Sequence, residues 1–209
     1  MDTISPTAPL GAPPGPSGPR RVSRARSLLR FSGYTDQAAL LLWVVFTSSP
    51  TYGPAALVRY ALVGYFMICL VLFAGQTMKG FLRGWPTLIL PVLCFISAIW
   101  APSVSDAMRL GVFMFLTAVI PVYAATRLSG KQILTCYFLG EIYGAVLSVL
   151  HPNIAGGNWT GVFGQKNFLA GHMFIMYATG LPLLLDPTTN KWLRLAAAAF
   201  VPLGAAIVF

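Results

Sequence analysis

The sequence predicts an all-α protein, a bundle of about seven hydrophobic helices crossing a lipid bilayer, and three observations carry that reading. Of 209 residues, 56% are hydrophobic and only 9% charged, whereas roughly a quarter of the residues in a soluble domain are charged. The apolar residues fall in blocks of about 17 to 20, the length at which a helix crosses a hydrocarbon core of roughly 30 Å. The breaks between blocks are mostly short and polar, and alternate ones are basic, as cytoplasmic loops of multi-span proteins are.

Residues 1–19 hold six prolines and three glycines with almost no large apolar side chain, a composition that cannot bury enough surface to offset the entropy of ordering. With the basic stretch that follows (Arg20, Arg21, Arg24, Arg26 and Arg30), they read as a disordered, cytoplasmic, proline-rich tail over 1–30, ahead of a transmembrane helical domain over 31–209. The basic stretch and the apolar run near 37–49 imitate a signal peptide. The long preceding tail and the lack of a small-residue cleavage site instead favour an uncleaved first span.

Further spans read as 55–74, 85–100, 108–125, 133–150, 168–185 and 193–209. With the N-terminus cytoplasmic, the loops 75–84, 126–132 and 186–192 lie inside and carry Lys79 and Arg83, Arg127 and Lys131, and Lys191, with Arg194 just beyond. The last block runs to Phe209 with no polar stop or basic flank, so the chain reads as the amino-terminal part of a longer protein.

The net charge of +9 would suggest nucleic acid only if the cations shared one folded face. Here they track the loops, and no nucleic-acid partner is expected. Eleven of the 14 basic residues fall inside, leaving Arg59, Arg109 and Lys166 at outer ends of spans, where the charge rule gives no reason for a cation. Cys69, Cys94 and Cys136 lie within spans, are odd in number and lack C-x-x-C spacing, so they read as small buried apolar residues. No cofactor and no metal site are expected.

Several residues have both a chemical and a structural reading. Between the fifth and sixth spans, Gly156, Gly157, Gly161 and Gly164 with Lys166 make a loop able to bring backbone amides to an anion, or simply a turning connector. Arg109 stands three residues after Asp106 on one helical face, so it can serve a substrate, pair with Asp106 or snorkel. Glu141 is mid-span, where a bare carboxylate is costly. A structural hydrogen bond between helices is favoured there, because its depth sets it away from an outer reaction site. Gly140 and Gly144 around it form a small-xxx-small pair that brings another helix close. His151 and His172 flank the glycine loop, and either can take a proton from a hydroxyl or act as a polar interface residue. The Asn158-Trp159-Thr160 glycosylation pattern arises too often by chance to be given weight.

The segment Ser97-Ala-Ile-Trp100-Ala-Pro102 with Arg109, followed by Gly161-Val-Phe163-Gly-Gln-Lys166-Asn167-Phe-Leu-Ala-Gly171, resembles the O-antigen ligase and exopolysaccharide polymerase family over roughly residues 38–209. Ala101 and Gln165 stand where that family usually has serine and histidine. The resemblance implies a membrane glycosyltransferase of the bacterial inner (plasma) membrane. Such an enzyme moves a glycan from a polyprenyl-diphosphate carrier to a saccharide or lipid-linked acceptor on the outer side. With its motif residues Trp100, Arg109, Gly161, Lys166 and Asn167 and the polar residues singled out above, the candidates are Arg109, Lys166 and His172 as catalytic residues, and Arg59, Trp100, Asp106, His151, Gly161 and Asn167 as substrate-binding ones. Cations at outer helix ends suit a diphosphate leaving group, whose charge grows as the glycosidic bond breaks. With no carboxylate pair of metal-binding kind in the sequence, transfer is expected to be metal-independent. The rival readings are a transporter or channel, whose signature would be an inverted repeat, and a non-catalytic scaffold.

Overall fold

The computed structural model describes residues 20–48, 53–155 and 158–208. Two units are distinguished, Met1–Ser32 and Gly33–Phe209. The described part of the first is helical, belonging to α1 (Arg20–Thr47), so helix takes in the basic stretch; the expected disorder of 1–19 lies outside the described residues. The second unit holds the remainder of α1, followed by α2 (Gly53–Leu72), α3 (Ala74–Gly84), α4 (Ile89–Ser97), α5 (Val104–Arg127), α6 (Gly130–Leu150), α7 (Lys166–Leu185) and α8 (Lys191–Val208). Among the described residues the one strand pairing is a short antiparallel one, β1 (Ile154–Ala155) with β2 (Asn158–Trp159), in the loop before α7.

Each predicted span is found as a helix, with two corrections: α1 begins at Arg20, so residues 20–30 are helical and not part of a disordered tail, and the second concerns the loop before the third span. The stretch 75–84, expected to be an inside loop, is α3, and it runs through a 3-10 turn at Trp85–Leu88 into α4 as one span, Ala74–Ser97. Its residues alternate on a helical period, Lys79 and Arg83 on one face and Met78 and Leu82 on another, so an amphipathic helix satisfies the backbone that a loop would leave to water. Among the described residues, Ala74–Ser97, α5, α6 and α7 are long and apolar enough to cross a membrane, while Ala56–Leu72 is apolar but shorter.

The burial pattern is that of a membrane protein. Only 6% of the most apolar window of Ala74–Ser97 is buried inside the protein, and Leu57, Val71, Leu82, Leu90 and Ile99 are exposed. Apolar surface so extensive has no place in water, and the chain is a multi-pass membrane protein.

The helix interfaces follow from small residues. A side chain at Gly140 would put its Cβ 2.5 Å from Val44 of α1, and one at Gly180 would meet Phe138 and Val201 at 2.6 and 2.8 Å. Without a hydrophobic drive between helices in lipid, such close approach is what holds them, and the expected contact at the Gly140–Gly144 pair is made by α1. Two cores result, one of α1, α2, α5 and α6 residues around Phe66 and Tyr123, the other of α6, α7 and α8 residues around Phe138, Met173 and Met176. Cys69 and Cys136 are buried and all three cysteines are free.

Arg127 departs from its expected role as a loop cation. Its side chain is 9% exposed, its Nε donates to Asp36 Oδ2 at 3.1 Å, and its guanidinium lies 4.1 Å over the Phe73 ring. Only Leu128 and Ser129 separate α5 from α6. Ser129 and Gln132 form a capping box at the start of α6, with Ser129 Oγ accepting from the Gln132 N–H and Gln132 Oε1 from the Ser129 N–H. So tight a corner draws Arg127 into the bundle.

At the α7–α8 loop, Lys131 Nζ donates to Asp186 Oδ2 at 2.9 Å. That ammonium, with the Thr188 N–H and hydroxyl, holds the Asp186 carboxyl well below the usual carboxylate range. A carboxyl depressed in the folded state adds stability that is complete above its unfolded value of about 4 and declines as pH falls from there toward the folded value. Asp186→Asn should therefore lower the melting temperature in detergent at pH 7, and the gap to the wild type should narrow at pH 3. An equal gap at both pH values would mean the carboxylate contributes nothing through its charge.

Candidate functional site

A cavity of about 710 Å³ opens within the second unit between α1, α2, α5, α6, α7 and the loop before α7. Arg59, Glu141 and His172 all line it, from three different helices. His172 Nδ1 lies 2.9 Å from Glu141 Oε2, and Ser48 Oγ, just past the end of α1, donates to Glu141 Oε1 at 3.2 Å. The Phe163 ring stacks on the His172 ring, 4.3 Å between centroids and 16° apart. Glu141 is 3% exposed and His172 22%. The carboxylate is thus held at both oxygens, and the imidazole is fixed by a hydrogen bond on one side and a ring on its face. With Nδ1–H donating to the carboxylate, Nε2 is left as the basic nitrogen.

The glycine loop builds one wall of this cavity. Gly161 has φ +53° and is buried; a Cβ there would lie 2.5 Å from both Cβ and Oγ of Ser148 on α6. Both the left-handed backbone and the contact require glycine. The Val162 N–H donates to Ser148 Oγ at 3.3 Å, and the 3-10 turn Gly161–Phe163 carries Phe163 onto His172, its ring also facing Gly144. Gly164, at φ +71°, closes the turn before α7 begins at Lys166.

The hydrogen bonds expected of Glu141 between helices are made, to Ser48 and His172, and because the loop folds back into the bundle they lie beside it rather than away from it. Depth along a helix does not separate Glu141 from the loop, because the loop comes to it.

Of the residues singled out from the sequence, the structure brings Arg59 and His172 together with Glu141. Arg109, Trp100, Asp106, His151, Lys166 and Asn167 are exposed and do not line the cavity, while Gly161 is buried in its wall. The Asp106 N–H donates to Ser103 Oγ, which caps the start of α5, and no ion pair joins Asp106 to Arg109. Arg109 and Lys166 sit within two turns of the starts of α5 and α7. Ser48, Tyr137 and Phe163 were not anticipated as cavity residues. Ser48 follows an apolar run like many helix-end serines, so only its partner identifies it.

Comparison with family models, with curated proteins and with solved structures finds no match to this chain.

Proposed function

We propose that the chain is part of a polysaccharide polymerase or O-antigen ligase-like membrane glycosyltransferase. In this reading it joins a glycan from a polyprenyl-diphosphate carrier to a saccharide or lipid-linked acceptor on the outer side of the bacterial inner membrane, with its N-terminus cytoplasmic. The observation that carries the reading is the convergence of Arg59, Glu141 and His172 on one cavity between helices. A base oriented by a carboxylate and a cation in the same space are the two groups that displacement of a diphosphate by a hydroxyl needs.

The acceptor hydroxyl oxygen attacks the anomeric carbon and gives its proton to His172 Nε2. The bond from that carbon to the diphosphate oxygen breaks, and polyprenyl diphosphate leaves with the electron pair. Glu141 keeps the imidazole in the tautomer with Nε2 free and stabilises the imidazolium that forms, much as a buried carboxylate does in a hydrolase triad. Arg59 faces the charge growing on the leaving diphosphate. Geometry favours Arg59 over Arg109 and Lys166 for that role, since those two are exposed outside the cavity. There they suit contact with the carrier at the membrane surface.

The test is transfer by the complete gene product in proteoliposomes, from a polyprenyl-diphosphate-linked oligosaccharide to a labelled saccharide acceptor. Wild-type protein should elongate or ligate the label, and Arg59→Ala should lose on the order of 10²- to 10³-fold in rate, as loss of a donor facing developing charge does. Proton flux across the same vesicles without any transfer would instead support the transporter reading, for which the Glu141–His172 pair would be the path.

A further inference from the structure

A second cavity, of about 460 Å³, lies between α3 and α5 and has a different chemistry. Lys79 and Arg83, four residues apart and so on one face of α3, line it together with Gln76 and Thr126. No acidic side chain lines it, and neither cation has an ion-pair partner among the described residues. The space exists because Gly80 and Gly84 bring α3 against α5; a Cβ at Gly80 would lie 2.6 Å from Thr126 Cγ2. Arg83 is in the last turn of α3, where helix carbonyls add negative potential. The two cations thus face one cavity from the same side of α3, with no carboxylate beside them among the described residues.

The position narrows the class of anion. Few residues of the span carrying α3 are fully buried. Met78, Leu82 and Trp85 on and just after α3 are exposed apolar side chains, a face suited to lipid. Val122, Ala125 and Thr126 belong to the end of α5 that also bears Arg127. A ligand reaching this cavity comes from the lipid side or its headgroup layer, with acyl chains free to lie along the apolar face.

We infer that the α3–α5 cavity binds a phosphate group, carried by the headgroup of an anionic phospholipid in the leaflet at the basic end of the bundle. The two side chains act as a cation pair on the phosphate, with Gln76 and Thr126 as neutral partners for the headgroup. A specifically held lipid at this place braces the packing of α3 on α5.

The test uses the full chain in mixed micelles, reading retained lipid by native mass spectrometry and melting temperature. Phosphatidylglycerol is compared with phosphatidylcholine. Wild-type protein should retain phosphatidylglycerol preferentially and melt higher with it. Lys79→Gln/Arg83→Gln should weaken that retention on the order of tenfold to thirtyfold, the scale for two cations at a membrane surface. The charge-conserving pair Lys79→Arg/Arg83→Lys should restore it. Lys191→Gln/Arg194→Gln, which removes two cations elsewhere, serves as the control. Equal loss in the control, or no preference of the wild type for phosphatidylglycerol, overturns the site. Protection by millimolar inorganic phosphate equal to that of phosphatidylglycerol overturns the lipid as its source.

Discussion

Asp36→Ala should destabilise the bundle by about 3 kcal/mol, the low end for breaking a buried ion pair. Asp36 is 2% exposed and accepts from Tyr65 Oη at 2.7 Å, Tyr123 Oη at 3.0 Å and Arg127 Nε at 3.1 Å. Hydrogen bonds between membrane helices average only about 0.6 kcal/mol, so the two tyrosines account for roughly a third of the loss. The larger part is the guanidinium kept in the bundle without its carboxylate. Arg127 is the last residue of α5 and can partly relieve this by reaching toward water, which keeps the figure at the low end. Asp36→Asn retains an acceptor for the hydroxyls while removing the charge, and should fall between alanine and wild type. Unfolding in mixed micelles under increasing denaturing detergent measures both, and a loss below about 0.5 kcal/mol for alanine would show the pair to be energetically idle, as exposed pairs often are.

The largest effect on activity is expected at His172. If it takes the acceptor proton, His172→Ala should lower kcat of glycan transfer by about 10²- to 10⁴-fold with little change in the KM for the carrier-linked glycan, since the imidazole binds no part of the carrier. Glu141→Gln should produce a smaller fall, because the amide presents an N–H as readily as an oxygen and no longer selects one imidazole tautomer. The pair should be strongly non-additive, the double variant being no worse than His172→Ala alone, as for residues acting as one unit. Additive losses, or a loss confined to KM, would make the Glu141–His172 contact a brace between α6 and α7. Protein levels and melting temperatures of each variant separate such losses from unfolding.

The membrane-spanning character and the helix count were legible from composition and block length, because a bilayer imposes a minimum apolar run whatever the packing. The Gly140–Gly144 pair was legible for a similar reason: only small residues permit close helix approach in lipid. Helix α3 was not. Its ten or so residues are half polar, and a rule that counts apolar residues reads an amphipathic helix as a loop. Asp36 also went unremarked, although one of five acidic residues in the chain standing at the edge of the first apolar run was a signal that a cation from another span would meet it.

The candidate site shows the division most clearly. The unusual polar residues, Arg59, Glu141 and His172, stand out in the sequence one by one, since each is costly within an apolar span and therefore calls for a partner. Which of them share a cavity depends on distances between residues 31 to 113 positions apart, and on a glycine turn at Gly161–Phe163 that folds inward against Ser148. No periodicity encodes that fold-back, because it results from φ +53° at one glycine and the space left by missing side chains on the facing helix. Solvent and chain chemistry thus dictate the helices and their number, while side-chain complementarity between helices selects which buried charges meet.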